Sequence, residues 1–168
     1  MTSNRPHEAA WTAALRALAV RPRSVTDLSR RLQRRFDEET VLQVVRELQE
    51  RGLLDDAAFA AAWRYSREQS KPRSSAMVRR ELLVQGVERS VANAAVAGMD
   101  DEEAAHQAAR KYARRLAGLD ERRSTQRMRA YLGRRGFASD VVHRTLRWAA
   151  EESPIWEKSP GPTKHSTP

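Results

Sequence analysis

Residues 23–36 read RSVTDLSRRLQRRF, and the same frame returns as RSSAMVRRELLVQGV at 73–87 and as RSTQRMRAYLGRRGF at 123–137. The pairs Arg23-Ser24, Arg73-Ser74 and Arg123-Ser124 are spaced by fifty residues both times. Aligned on the serines, apolar positions coincide: Leu28 with Val78 and Met128, then Leu32 with Leu82 and Leu132. One turn later come Phe36, Val87 and Phe137, the first reached by a linker one residue shorter. Val41, Ala92 and Val142 follow, and then Val45, Val96 and Leu146. Self-similarity at a fixed period marks a repeat architecture, and this period differs from that of the ~34-residue helical repeats.

Within a copy the period is helical. Leu28 and Leu32 lie four apart and Val25 completes their face, which predicts an amphipathic helix over 24–35 with Ser24 as its N-cap. Asp37-Glu38-Glu39 puts acid at the start of the next helix, 38–51, whose apolar stripe is Val41, Leu42, Val45 and Leu48. Before Ser24, the residues Ala10, Trp11, Ala14, Leu15 and Leu18 predict a helix over 8–20 that stops at Pro22. The second copy reads as helices 55–70, 74–85 and 88–98, the third as 100–117, 122–135 and 139–151. No stretch alternates with period two, so no sheet is predicted.

The expected fold is therefore all-α, with three tandem three-helix, helix-turn-helix-like repeats forming an elongated, curved rod. Residues 1–7 read as a flexible N-terminus, 8–53 as repeat 1, 54–98 as repeat 2 and 99–152 as repeat 3. Residues 153–168, SPIWEKSPGPTKHSTP, carry four prolines without periodicity and read as a disordered tail, with Trp156 a stray aromatic.

Composition limits the chemistry. The 168 residues include 31 Lys+Arg, of which 27 are arginine, against 22 Asp+Glu, for a net charge of +9. Cysteine is absent, which excludes a disulfide scaffold, a thiol nucleophile and Cys-type zinc sites. The apolar stretch from Ala9 to Val20 is broken by Arg16 and followed by Arg21 and Arg23, unlike a signal peptide. Together these features suggest a cytoplasmic protein.

No catalytic constellation assembles, so the chain reads as no enzyme, with no catalytic residue, metal or cofactor. Glu103-Ala-Ala-His106 has the Glu-x-x-His spacing of di-iron sites, but those need two such pairs. Asp100 to Glu103 more simply complement a helix dipole, and His143 reads as a structural histidine among apolar neighbours.

The informative charge lies on the middle helices. At about 100° per residue, Arg30 and Arg34 fall opposite the Leu28–Leu32 stripe. Arg123, Arg127 and Arg134 form an outer stripe in the third copy, while Arg73 and Arg80 serve in the second. Arginine suits phosphate because its planar fork donates two parallel hydrogen bonds. These eight residues (Arg23, Arg30, Arg34, Arg73, Arg80, Arg123, Arg127, Arg134) are the candidate phosphate- or acid-binding ridge. The third helices offer fewer base readers: Arg46, Gln49 and Arg51, then Arg89 and Asn93, then Arg144 and Arg147. Charge on the second helices favours backbone tracking over sequence readout.

At the first junction, Gly52, Leu54, Asp55, Asp56, Phe59, Ala60 and Trp63 resemble the RecX family pattern of Gly, aliphatic, acidic pair, Phe-Ala and an aromatic four residues on. Lys71-Pro72-Arg73, Glu81-Leu82 and Gly86-Val87 resemble its second-repeat segment. The resemblance covers about 10–151. Leu53 replaces a usual aromatic, the glycine normally before Phe36 is missing, and the Pro-rich tail has no counterpart. Asp55 and Asp56 read as caps of the helix carrying Phe59 and Trp63 into the core.

The resemblance implies a regulator that binds the RecA-type recombinase filament on single-stranded DNA and inhibits its ATPase, co-protease and strand-exchange activities. Recombination, DNA repair and the SOS response would be modulated. Single-stranded DNA is the expected nucleic-acid partner, with duplex DNA bound non-specifically; no membrane is involved and the protein is expected to be a monomer. The alternatives are a helix-turn-helix DNA binder and a helical protein-binding adaptor.

Overall fold

Nine helices form among residues 5–152, the residues that the computed structural model describes, and no strand occurs among them. They are α1 (Arg5–Val20), α2 (Val25–Leu32), α3 (Glu38–Glu50), α4 (Asp56–Ser70), α5 (Ser75–Val84), α6 (Arg89–Val96), α7 (Asp101–Ala113), α8 (Glu121–Arg134) and α9 (Ser139–Glu152). The first begins at Arg5, three residues earlier than the periodicity placed it, and α2 stops at Leu32, leaving Arg34 and Arg35 in the turn beyond. Residues 153–168 and Trp156 lie outside the described residues. No helix among those described is long and apolar enough to cross a membrane.

The in-register apolar positions are the core. All but Phe36 and Val96 are buried, and those two are half-buried. Two assignments of the apolar stripes differ. Leu42 is 57% exposed and Val44 takes its place inside α3, while Leu15 is 39% exposed and Ala17 packs instead. A stripe wide enough for either neighbour is resolved only by the angle at which the partner helix crosses.

The described residues gather into two compact units. The first takes those up to Ser66 together with Val78–Ala97; the second takes Arg67–Met77 together with those from Gly98 on. In the first, Ala10, Ala14 and Ala17 let α1 approach α3 closely, above Leu28, Leu32, Val41 and Leu48. In the second, Ala105, Ala108 and Ala109 serve α7 and α9 in the same way, around Met128, Leu132, Phe137 and Val142.

Each unit contains one joint between successive repeats, built from matching parts. In the first unit Ser24 caps α2, its Oγ accepting from Asp27 N at 3.1 Å and donating to the Gln85 carbonyl. Thr26 Oγ1 donates to the Gly86 carbonyl at 2.8 Å, and Val25 N donates to Asp56 Oδ1 at 2.8 Å. In the second unit Ser74 caps α5, its Oγ accepting from Met77 N at 3.2 Å. Ser74 N donates to the Arg135 carbonyl at 3.1 Å, beside Gly136, and Ser75 N donates to Asp101 Oδ1 at 2.7 Å. Of the N–H donors left unsatisfied at the start of α2 and of α5, the first is thus accepted by an aspartate of the following repeat and another by the helix's own serine cap.

The acidic pairs divide this work, which corrects the reading of Asp55 and Asp56 as joint caps of one helix. Asp55 caps its own α4 through Ala57 N and Ala58 N, at 2.7 and 3.1 Å, while Asp56 reaches back to α2. Asp100 likewise caps α7 through Glu102 N and Glu103 N, and Asp101 reaches back to α5.

Burial raises the Asp56 carboxyl above its ordinary value against the opposing pull of the Val25 N–H, and the Asp55 charge adds to the rise. An acid whose pKa is higher folded than unfolded binds its proton more tightly in the fold, so its contribution falls as pH rises through the carboxylate range. Asp56→Asn keeps the acceptor oxygen without the charge. It should be at least as stable as the parent at neutral pH and should remove this part of the pH dependence, whereas Asp56→Ala should cost about 0.5–2 kcal/mol as a lost cap. Thermal unfolding of both variants at acid and neutral pH checks this.

Candidate anion-binding surface

The apolar faces of α2, α5 and α8 point into the cores, so the opposite faces are turned to solvent. Arg30 on α2, Arg34 after it, and Arg80 on α5 are exposed in the first unit. Arg127 and Arg134, seven apart on one face of α8, are exposed in the second. None of these five has an ion pair among the described residues.

The three equivalent arginines share no common environment. Arg23 has a side chain only 9% exposed; its Nη1 donates to Asp27 Oδ2 at 2.7 Å and its Nε to the Ala17 carbonyl at 3.1 Å. It fastens the end of α1 to the start of α2. Arg73 is half-buried, and burial lowers its pKa first, with the charges of Arg67 and Arg135 next. Arg123 is exposed and paired with Asp120, Nε to Oδ2 at 3.3 Å. For Arg123 the reason is helical phase. Asp120 caps α8 and starts it a turn earlier, so Ser124 is buried inside that helix, whereas Ser24 and Ser74 precede theirs.

A groove of about 690 Å³ lies beside α1 and α2 in the first unit. Arg16, Arg23, Arg31, Arg34 and Arg35 line it, and no acidic side chain does. Its apolar part is Ala13, Ala17, Val20, Leu32 and Phe36. Sequence reasoning picked out Arg23 and Arg34 here but missed Arg16, Arg31 and Arg35. The doublets Arg30-Arg31 and Arg34-Arg35 were the available signal, because adjacent residues on a helical turn cannot all share one outer face.

On the third helices the candidate base readers divide into tied-down and exposed side chains. Arg51 is ion-paired with Glu47 and lies 4.8 Å from the Trp11 ring centre. Arg144 donates to Asp140 Oδ2 at 3.0 Å and Glu102 Oε2 at 3.1 Å, and these bonds, Asp140 first, hold its pKa above the ordinary value. Arg46, Gln49, Arg89, Asn93 and Arg147 are exposed.

The histidines have other occupations. His106 stacks on Trp148 with ring centres 4.1 Å apart, and Glu103 pairs with Arg110. His143 is exposed, its Nε2 3.2 Å from Arg129 Nη1, rather than enclosed by the apolar neighbours expected for it. Among the described residues no group of three or more His, Asp or Glu side chains could hold a metal ion.

Sequence models of the first, second and third three-helix domains of RecX match residues 10–48, 55–96 and 100–146. Regulatory protein RecX of Streptomyces coelicolor is 34% identical over 151 residues, covering 88% of this chain and 80% of that protein. Regulatory protein RecX of Mycobacterium marinum is 35% identical over 140 residues, covering 80% and 81%. Among solved structures, RecX from Lactobacillus salivarius superposes with a TM-score of 0.73 at 17% identity, covering 86% of this chain and 97% of that one. A second crystal structure of regulatory protein RecX gives a TM-score of 0.70 at 25% identity, over 84% and 72%.

Proposed function

The chain belongs to the RecX family of regulatory proteins, and from that premise we propose that it binds the filament of a RecA-type recombinase on single-stranded DNA and restrains it. ATP turnover, co-protease action and strand exchange by the recombinase all fall on binding, and recombination, repair and the SOS response are modulated accordingly. The protein acts as a cytoplasmic monomer and contributes no catalytic residue.

The observation that carries this reading is that five of the eight ridge arginines, Arg30, Arg34, Arg80, Arg127 and Arg134, are exposed and have no ion pair among the described residues. An arginine paired to a carboxylate must give up that partner before it meets phosphate; these need not. Arg51, just past the end of α3, and Arg144 on α9 are already held by carboxylates and would have to leave them to read bases.

Titration of the protein into a recombinase ATPase assay on single-stranded DNA tests the proposal, and undiminished turnover would overturn it in favour of a protein-binding adaptor. If the five arginines meet phosphates, log affinity for single strands should fall with log salt at a slope near −3.5, from ~0.7 per contact. Replacing Arg30 and Arg34 together by Ala should flatten the slope by about 1.4 and weaken inhibition. The thermal midpoint should hold, since both side chains are exposed. An unchanged slope would make this surface a solvated face.

A further inference from the structure

We propose that the arginine-lined groove beside α1 and α2 is the seat of an acidic peptide segment bearing an aliphatic side chain. The proposal rests on the filament reading only for which protein supplies that segment, namely the recombinase.

Charge complementarity sets the sign of the occupant. Arg23 is paired with Asp27, a carboxylate it shares with Arg21, but Arg16, Arg31, Arg34 and Arg35 have no ion pair among the described residues, and no carboxylate lines the groove. Four cations around one concavity repel each other, a cost relieved when an anionic partner enters.

The floor sets the class of the occupant. A single strand without sequence preference is held by phosphate contacts together with aromatic platforms on which bases stack. This groove has one ring, Phe36, and the Arg35 guanidinium already lies 5.7 Å from its centre. The rest of the apolar surface is small or aliphatic, and Val20 stands 80% exposed at its edge. Such a surface gains by covering a Leu, Ile or Val side chain, while the arginines take carboxylates in bidentate pairs. Of the groove's unpaired arginines, Arg34 is the one also assigned to phosphate, so Arg16, Arg31 and Arg35 take the carboxylates and Arg34, with arginines elsewhere such as Arg80 and Arg127, the phosphates.

The test uses the full chain and three fluorescein-labelled probes read by anisotropy: a short peptide of Glu, Asp and Leu, the same peptide with each Leu replaced by Ser, and oligothymidylate. The leucine peptide should bind at least about tenfold more tightly than its serine counterpart, from burial of one aliphatic side chain. Charge reversal at Arg31→Glu with Arg35→Glu should weaken the leucine peptide at least about tenfold and oligothymidylate much less. Val20→Ser should erase most of the preference for leucine.

Equal affinity for the two peptides, or equal loss of peptide and oligothymidylate on charge reversal, would overturn the proposal and make the groove a general anion site. These measurements need no recombinase. Peptide binding without ATPase inhibition would retain the groove and sink the filament reading; inhibition without peptide binding would do the reverse.

Discussion

Gly86→Ala is expected to destabilise the first unit by about 2–5 kcal/mol, combining a left-handed backbone penalty with overpacking. Gly86 ends the turn after α5 with φ +83°, and a Cβ there would stand 2.5 Å from Thr26 Cβ and 2.7 Å from its Cγ2. Thr26 cannot step aside without losing its bond to the Gly86 carbonyl. Gly136→Ala should do the same to the second unit, since its φ is +84° and its Cβ would meet Ser74 Oγ at 2.7 Å and Met77 Cβ at 2.9 Å. Gly52 and Gly118 also have positive φ but open space around the missing Cβ, so alanine there should cost only the backbone term, about 1–2 kcal/mol. Urea unfolding of the four variants separates the two contributions. Equal losses at Gly86 and Gly52 would mean that the joint yields freely.

Phe59→Ala should cost about 3–5 kcal/mol. The ring is 7% exposed and faces Trp63 at 5.7 Å between centres, and Trp63 is itself anchored by its Nε1 donating to Glu81 Oε2 at 2.8 Å. Removing the ring therefore opens a cavity beneath a side chain that is hydrogen-bonded in place and cannot collapse to fill it. A measured loss below about 1 kcal/mol would mean that the site relaxes, far outside the usual range for a buried phenylalanine.

How much of this was legible in the sequence depends on the distance over which each contact acts. Leu28, Leu32 and their equivalents were readable because an inward face repeats every three or four residues. The pairing of Arg23 with Asp27 was within reach by the same logic, since the two stand one helical turn apart, yet repetition of Arg23, Arg73 and Arg123 pointed elsewhere. The division of labour between Asp55 and Asp56 was not readable, because the partner of Asp56 is thirty-one residues away. Its one trace was that an Asp-Asp pair recurs at Asp100-Asp101. The groove needed the crossing of α1 and α2, which no single helix encodes.

The joints also bear on synthesis. Ser24 and Thr26 take their partners from Gln85 and Gly86, sixty-one and sixty residues later. At ~5–20 residues per second, α2 leaves the ribosome several seconds before those partners exist. The same delay holds for α5, whose Ser74 awaits Arg135. A chain made from its N-terminus is thus locked from its C-terminal side, each repeat held open until the next arrives. A nascent chain that has emerged from the ribosome only as far as Ser70 would display a first repeat whose Ser24 and Thr26 still lack their Gln85 and Gly86 partners.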